Sequence, residues 1–362
     1  LPDATECAPS GVAPLSAPTY WRRVRSGAAL RVKRSPVGLA LLRLVHIGAA
    51  PAEYLERRRL ARERLAAHPA RLRVAPERGY RRVSAQELPQ LREFVELSRE
   101  LCVARARVLE HMHGARAGKH RIVFDILSDA RLAADARWLE FALCDELLSS
   151  AVDYLGEAPV LSRVGVGVSL PSATEEPPAH SQLFHVDADD ARQLKLLVNT
   201  SHVEREDGPF SWLPAAVSER VQRSLRGGLV ARVAAQRAQG ATTTPRYWDH
   251  EVGALVSERL VERLEGPPGT AVLIDTARCL HFGSRVRPGR RRVVSAVLFE
   301  RYHRALDAPF NVFDSERYAG DPLRWRALQT PRPCARGTFY PEPDSGVLAP
   351  QHARGAGHAE PQ

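Results

Sequence analysis

From Pro159 onward the hydrophobic period of the chain switches from helical spacing to strict alternation, and that switch limits the fold more than any other feature. In Pro159–Leu170 (PVLSRVGVGVSL), Val164, Val166 and Val168 alternate with Gly165 and Gly167, a strand pattern whose glycines let a backbone or ligand come close. Gln193–Asn199, Thr270–Asp275 and Val293–Phe299 are further strand runs, and the turn Gly266-Pro267-Pro268-Gly269 leads into the second of these. Alternation sets Lys195, Leu197 and Asn199 on one face of their strand and Leu194, Leu196 and Val198 on the other. A lysine and an asparagine in such a strand need partners if their face is covered; a solvated sheet edge is the other reading of Lys195.

Helices precede and interrupt these strands. Ser84 and Glu87 have capping-box spacing and open a helix towards Glu110, with Leu88, Leu91, Phe94, Val95, Leu97 and Leu101 as its apolar stripe. A second helix is expected over Ser128–Leu155, and helical segments over Ser218–Arg237 and His250–Leu264 form an insert suited to walling a binding cleft. Within that insert, Arg246-Tyr247-Trp248-Asp249-His250 is the densest chemistry and the place to look for substrate recognition. Three regions follow: an N-terminal extension over 1–75, partly disordered and partly an exposed helix at Pro51–His68; a main domain over 76–330; and a flexible tail over 331–362, rich in Pro, Gly, Ala and His. Short strands with glycine turns, preceded by amphipathic helices and interrupted by a helical insert, suggest a mainly β fold with flanking helices, a double-stranded β-helix (jelly-roll or cupin-like) barrel with a helical insert, an expectation that the family resemblance given below chiefly supports.

Candidate chemistry lies on this frame. His185-Val186-Asp187 places an imidazole and a carboxylate at i and i+2, on one side of a strand, and His281 follows the Thr270–Asp275 run. Two histidines and one carboxylate on one face suit Fe(II) and leave positions open for a bidentate co-substrate and dioxygen. Arg291 and Arg292 stand at the mouth of the Val293–Phe299 strand, where a guanidinium fork can grip a dicarboxylate end-on. His180, in a turn-rich loop, and His250, with no arginine-led strand after it, are weaker ligand candidates. Cys279 reads as a small buried filler, because a thiolate beside an oxygen-activating iron is at risk of oxidation.

Phe184–Pro214 (FHVDADDARQLKLLVNTSHVEREDGPFSWLP) and Leu280–Phe299 (LHFGSRVRPGRRRVVSAVLF) resemble the phytanoyl-CoA dioxygenase family of Fe(II)/2-oxoglutarate oxygenases. The resemblance runs from about Gly79 to Arg301. It rests on the His-x-Asp strand, the Asp207-Gly208-Pro209-Phe210 turn and the distal His-Phe-Gly-Ser. It implies that His185, Asp187 and His281 hold the iron and that Arg291 or Arg292 binds the far carboxylate of 2-oxoglutarate. From strand alternation alone, if its face lines the barrel, Lys195 is a candidate second contact to 2-oxoglutarate or to an acidic substrate. The family's usual spacing leans to Arg292. The implied activity is hydroxylation of a small-molecule C–H bond using O2, with 2-oxoglutarate converted to succinate. Asp187 favours hydroxylation over halogenation, which family members perform when a small residue replaces the carboxylate. The chain departs from the family at Pro214-Ala215-Ala216-Val217-Ser218, where Pro-Gly-Ser-His is usual. Two rival readings are a cupin-type oxygenase or isomerase working without 2-oxoglutarate, and a non-catalytic binding protein on the same fold.

Composition narrows the class. An apolar fraction of 44% over 362 residues supports a sizeable core, and no apolar run approaches bilayer length. The net charge of +10 is almost all arginine, scattered through the chain with Lys33, Lys119 and Lys195 the only lysines, and sparse aromatics argue against nucleic acid. Five unpaired-looking cysteines fit a reducing cytoplasm.

Overall fold

The computed structural model describes residues 36–106, 123–171, 177–187, 190–225, 227, 245–302 and 313–329. Its first half holds α1 (Pro36–Ala49), α2 (Pro51–Ala67), β1 (Tyr80–Val83), α3 (Leu91–Ala104), β2 (Val123–Asp125), α4 (Asp129–Ala134), α5 (Arg137–Ala142) and α6 (Asp145–Leu155). The second half holds β3 (Val160–Ser169), β4 (Gln193–Asn199), β5 (Ser211–Trp212), α7 (Ala215–Ser224), α8 (Asp249–Gly253), β6 (Glu262–Arg263), β7 (Ala271–Ile274), β8 (His281–Phe282), β9 (Arg292–Glu300) and α9 (Pro322–Leu328). The result is mostly antiparallel sheet with flanking helices. A six-stranded sheet runs β1-β7-β4-β9-β3-β2, and a small sheet runs β6-β5-β8. Bridges from His185 to His281 and from Phe184 to Tyr247 lengthen the small sheet.

Strand alternation divides the core into layers. Leu194, Leu196 and Val198 of β4 join Val164, Val166 and Val168 of β3 in a large cluster with Leu91, Phe94 and Leu101 of α3 and Leu147, Leu148 and Ala151 of α6. The opposite face of the same sheet supplies Leu197, Val272, Ile274 and Val294, which pack on Trp212 of the small sheet. A third cluster, Phe184, Leu213, Val217, Tyr247, Val252 and Leu280, covers the outer face of the small sheet. Lys195 and Arg292 therefore enter the space between the sheets, because they share parity with Leu197 and Val294.

The four strand runs fall where their alternation places them, within a residue at each end. The helices differ more. Ser84 and Glu87 do exchange capping hydrogen bonds, Glu87 donating its amide to Ser84 Oγ at 3.4 Å and accepting the Ser84 amide at 3.0 Å. They close a turn only, since Pro89 biases Leu88 away from helical backbone, and α3 begins at Leu91. The helix expected over 128–155 is three helices. Asp135 accepts the Arg137 amide at 3.0 Å, a local turn that competes with helix, and Cys144 is extended ahead of the acidic first turn of α6. The helix expected at Pro51–His68 is α2, yet it is docked and not merely solvated. Arg57 is 1% exposed and donates to the Ala158, Pro159 and Arg326 carbonyls, pinning α2 to the start of β3 and to α9. Of the insert, α7 covers the start of the helical segment expected over 218–237, most of whose remainder lies outside the described residues, while α8 is shorter than the helix expected over 250–264 and Glu258–Leu260 is a single 3-10 turn before β6. Residues 1–35 of the N-terminal extension, 107–110 at the end of the helix expected towards Glu110, 226 and 228–244 of the insert, and the whole 331–362 tail lie outside the described residues. Among the described residues no helix is long and apolar enough to cross a membrane.

Candidate metal centre

His185 and His281 face each other across one hydrogen-bonded antiparallel pair. Each amide donates to the other's carbonyl, at 2.9 and 2.8 Å, which puts both imidazoles on one side with ring centroids 4.3 Å apart. His185 is thus in a bridge and not in a full strand, and Asp187 is fixed separately by its amide donating to the Thr276 carbonyl at 2.9 Å. His185 Nδ1 lies 2.8 Å from the Leu183 carbonyl and His281 Nδ1 lies 2.9 Å from the Cys279 carbonyl. A carbonyl can only accept, so both rings carry their proton on Nδ1 and present the Nε2 lone pair inward. Asp187 Oδ1 stands 3.9 Å from His185 Nε2 and 3.7 Å from His281 Nε2. Ligand atoms of the three residues all lie within 4.8 Å of one another, a grouping able to hold a metal ion. The donor set fits one: two neutral imidazole nitrogens and a carboxylate, with no thiolate.

The electrostatics agree. Burial, the His281 ring and Arg246 hold the His185 imidazole well below the usual histidine range. Burial lowers His281 to about 4, with Lys195 and Arg246 adding to the effect against Asp187 and the Cys279 carbonyl. Burial pushes the Asp187 carboxyl up, but Lys195 and the two histidines outweigh it and hold it well below the ordinary carboxylate range. At neutral pH the ligands are therefore already in the protonation states a cation requires.

Lys195 Nζ donates to Asp187 Oδ2 at 2.8 Å, with Gln193 Nε2 at 3.4 Å from the same oxygen. Both reach inward from β4, whose pairing with β7 and β9 on either side excludes the solvated-edge reading of Lys195. Oδ2 is thereby occupied while Oδ1 faces the histidines. Gln193 also donates to Thr276 Oγ1, so it ties both ends of the Asp187–Thr276 contact. Its role was readable from its parity with Lys195, but a glutamine at a strand end carries no signal of its own.

Strand register separates the two arginines. Arg292 pairs with Ser169 and faces inward; Arg291, one residue earlier, is exposed. Arg292 is 6% exposed and donates to the Gly208 carbonyl at 2.7 Å and to Ser284 Oγ at 3.2 Å. Its Nε has no hydrogen-bond partner among the described residues, and burial lowers its pKa to about 10 against the pull of Asp207. The motif around it has physical reasons. Phe282 packs edge-on against Phe184 at 4.6 Å, and a Cβ on Gly283 would press on the guanidinium at 3.3 Å. Ser284, at φ 62, is held by Arg292 and by Ser169 Oγ at 2.9 Å. Gly208 is left-handed and so close to the Arg285 backbone that a Cβ would sit 2.5 Å from it. The following Phe210 ring lies 5.2 Å from His281.

The remaining candidates lie elsewhere. His180 starts a one-turn 3-10 helix and is outside the cluster, and His250 is exposed on α8. Cys279 is fully buried among apolar side chains with its thiol pushed up by burial, a filler as expected. The unusual Ser218 donates to the Leu213 carbonyl at 3.1 Å and accepts the Leu280 amide at 2.8 Å, which ties α7 to the residue before His281. A separate cavity of about 430 Å³ is lined by Phe184, Phe282, Val252, Val256 and Arg285, on the reverse side of the ligand-bearing ladder.

Behind the cluster, buried Asp275 accepts Tyr154 Oη at 2.7 Å and the Ala277 amide at 3.0 Å. Burial raises its carboxyl to about 6, although those hydrogen bonds pull the other way. With the folded pKa above the ordinary value, the folded chain binds the proton more tightly. The stability this confers is complete below pH about 4 and lost as pH rises through about 6. Asp275→Asn removes the titration. Urea unfolding at pH 4 and pH 7 is expected to show the variant gaining on the wild type by roughly 3 kcal/mol between the two; an unchanged difference would refute the burial argument.

No family model matches the sequence, and no curated protein matches it. Among solved structures, the chain is similar to the non-heme alpha ketoglutarate dependent epimerase SnoN from nogalamycin biosynthesis, at 17% identity over 66% of this chain and 82% of that one, with a TM-score of 0.38. It is also similar to HygX from Streptomyces hygroscopicus with nickel and 2-oxoglutarate bound (12% identity, 66% and 87% covered, TM-score 0.36). EctD from S. alaskensis with 2-oxoglutarate and 5-hydroxyectoine gives 16% identity, 72% and 81% covered, and a TM-score of 0.38.

Proposed function

We propose that the chain is an Fe(II)- and 2-oxoglutarate-dependent dioxygenase that hydroxylates a C–H bond of a small molecule, built on a jelly-roll barrel of the phytanoyl-CoA dioxygenase kind. The observation that carries this reading is the convergence of His185 Nε2, Asp187 Oδ1 and His281 Nε2, together with an inward-facing buried guanidinium, Arg292, on the same inter-sheet space. Iron held there supplies oxygen chemistry, coupling decarboxylation of 2-oxoglutarate to succinate and carbon dioxide with oxidation of the substrate.

The protein's part is to position and to exclude. His185 and His281 are locked in one tautomer by backbone carbonyls, so no proton has to leave Nε2 when a cation binds. Lys195 holds Oδ2 of Asp187 and leaves Oδ1 for the cation; its other ammonium hydrogens can meet an oxygen of the co-substrate. Arg292 is preset by Gly208 and Ser284 to receive the far carboxylate, and Arg291 points away from it. Trp212, Phe210 and Val294 form a dry wall that limits stray water.

The test is product formation. Protein supplied with Fe(II), 2-oxoglutarate and O2 is expected to release succinate, with release abolished in Asp187→Ala. Oxygen consumption that proceeds equally without 2-oxoglutarate would favour the cupin-type alternative instead.

A further inference from the structure

We infer that the outer face of α1 is a docking surface for an anionic lipid bilayer, a property independent of the metal centre. The helix, PVGLALLRLVHIGA, is turned the reverse way from an ordinary surface helix, which hides its aliphatic side chains and shows its charges. Its arginine faces the protein. Arg43 donates to both carboxylate oxygens of Glu157, with Nη1 3.2 Å from Oε1. Glu157 is buried just ahead of β3 and also accepts the Tyr302 amide at 3.1 Å, so this pair fixes how α1 is rotated. Leu41, Leu44 and Val45, spaced as i, i+3 and i+4, therefore share the opposite side, where they are 55%, 65% and 63% exposed. Gly48 continues the row at i+7, and a Cβ built on it would meet nothing within 4 Å. Leu55 of α2, also exposed, adds a fourth aliphatic side chain. Aliphatic surface held outward by a buried ion pair stays wet at a free-energy cost until something covers it.

Charge identifies the cover. Arg22, Arg23, Arg25, Arg31, Lys33 and Arg34 precede α1 in the sequence, and no acidic residue occurs over 7–52. The acids of α2 are all engaged, Glu53 by Arg57 and Arg326, and Glu56 and Glu63 by Arg59. Arg58 and Arg62 of the same helix are exposed and have no acidic partner among the described residues. A second copy of the chain docked through this face would bring two such sets of cations together. Nucleic acid would take the cations and leave the aliphatic row uncovered. An anionic bilayer meets both needs, with phosphate headgroups against the cations and the acyl boundary against Leu41, Leu44 and Val45. At 14 residues α1 is too short to span the bilayer and would lie along it.

Co-sedimentation of the full chain with phosphatidylcholine vesicles, with or without phosphatidylglycerol, tests this. Partition to the anionic vesicles is expected to exceed that to the neutral ones by at least about tenfold at low salt and to fall steeply as salt rises. The triple substitution Leu41→Gln, Leu44→Gln and Val45→Gln should lower it by at least about tenfold. Glutamine keeps helix propensity and the three side chains are exposed, so the melting temperature should stay within a few degrees of wild type. Leu41→Met with Leu44→Met should keep most of the binding, because the face stays apolar. The inference is overturned if wild type ignores the anionic vesicles, or if the triple variant binds them as tightly. It is overturned in favour of a second copy if wild type is a dimer that the triple variant splits. Binding to a double-stranded oligonucleotide that the triple variant weakens, with no vesicle binding, would overturn it in favour of nucleic acid.

Discussion

His281→Ala is expected to lower Fe(II) affinity by at least about a hundredfold and to leave the fold intact. Removing mere hydrogen-bond partners of metal-bound histidines costs about 10–100-fold, so loss of a ligand itself belongs at or beyond the top of that range. The imidazole is buried, and its loss leaves a cavity, but the backbone pair it shares with His185 does not depend on the side chain. The melting temperature without metal should therefore shift by only a few degrees. Equilibrium dialysis with Fe(II), or with Co(II) as an air-stable probe, measures the effect. Retained affinity would mean that the three residues cluster for another reason.

Arg292→Ala comes next in size. Truncating one partner of a buried charge pair costs about 2–5 kcal/mol, which corresponds to roughly 30- to 3,000-fold weaker 2-oxoglutarate binding. Arg292→Lys should recover little, because a point charge cannot span the Gly208 carbonyl and Ser284 Oγ while also gripping a carboxylate. Arg291→Ala is the internal control, with binding expected within about twofold of wild type, since its side chain is exposed. If Arg291 proves the sensitive position, the register deduced from the Ser169–Arg292 pair does not describe the active protein.

The grouping of His185, Asp187 and His281 was legible from the His-x-Asp spacing and from the arginine-led strand after His281, but not its geometry: His185 sits in a single bridge, and Asp187 is held by its amide to the Thr276 carbonyl and not by a shared strand. The sequence could not choose between Arg291 and Arg292, because alternation needs a fixed reference; the pairing of Arg292 with Ser169 supplies it. Lys195 was rightly placed on the Leu197 and Asn199 face, but its immediate partner, Asp187, comes from a segment eight residues earlier that no local pattern ties to β4. Helix boundaries were read less well, since Asp135 and Pro89 act through local hydrogen bonds and sterics that an apolar stripe does not register. Arg57 was hidden for the opposite reason. Its neighbours Glu53, Glu56 and Glu63 make α2 look like a solvated helix, whereas the buried acceptors that fix it are carbonyls 101, 102 and 269 residues away.

The central claim is that His185, Asp187 and His281 hold Fe(II) in a form that 2-oxoglutarate can chelate. Anaerobic addition of 2-oxoglutarate to the Fe(II)-loaded protein, followed by visible absorption, tests it directly. The account predicts a weak charge-transfer band that saturates with 2-oxoglutarate in wild type and is absent in His281→Ala. A wild-type protein that binds Fe(II) yet never develops the band, or a band that survives in His281→Ala, would contradict it.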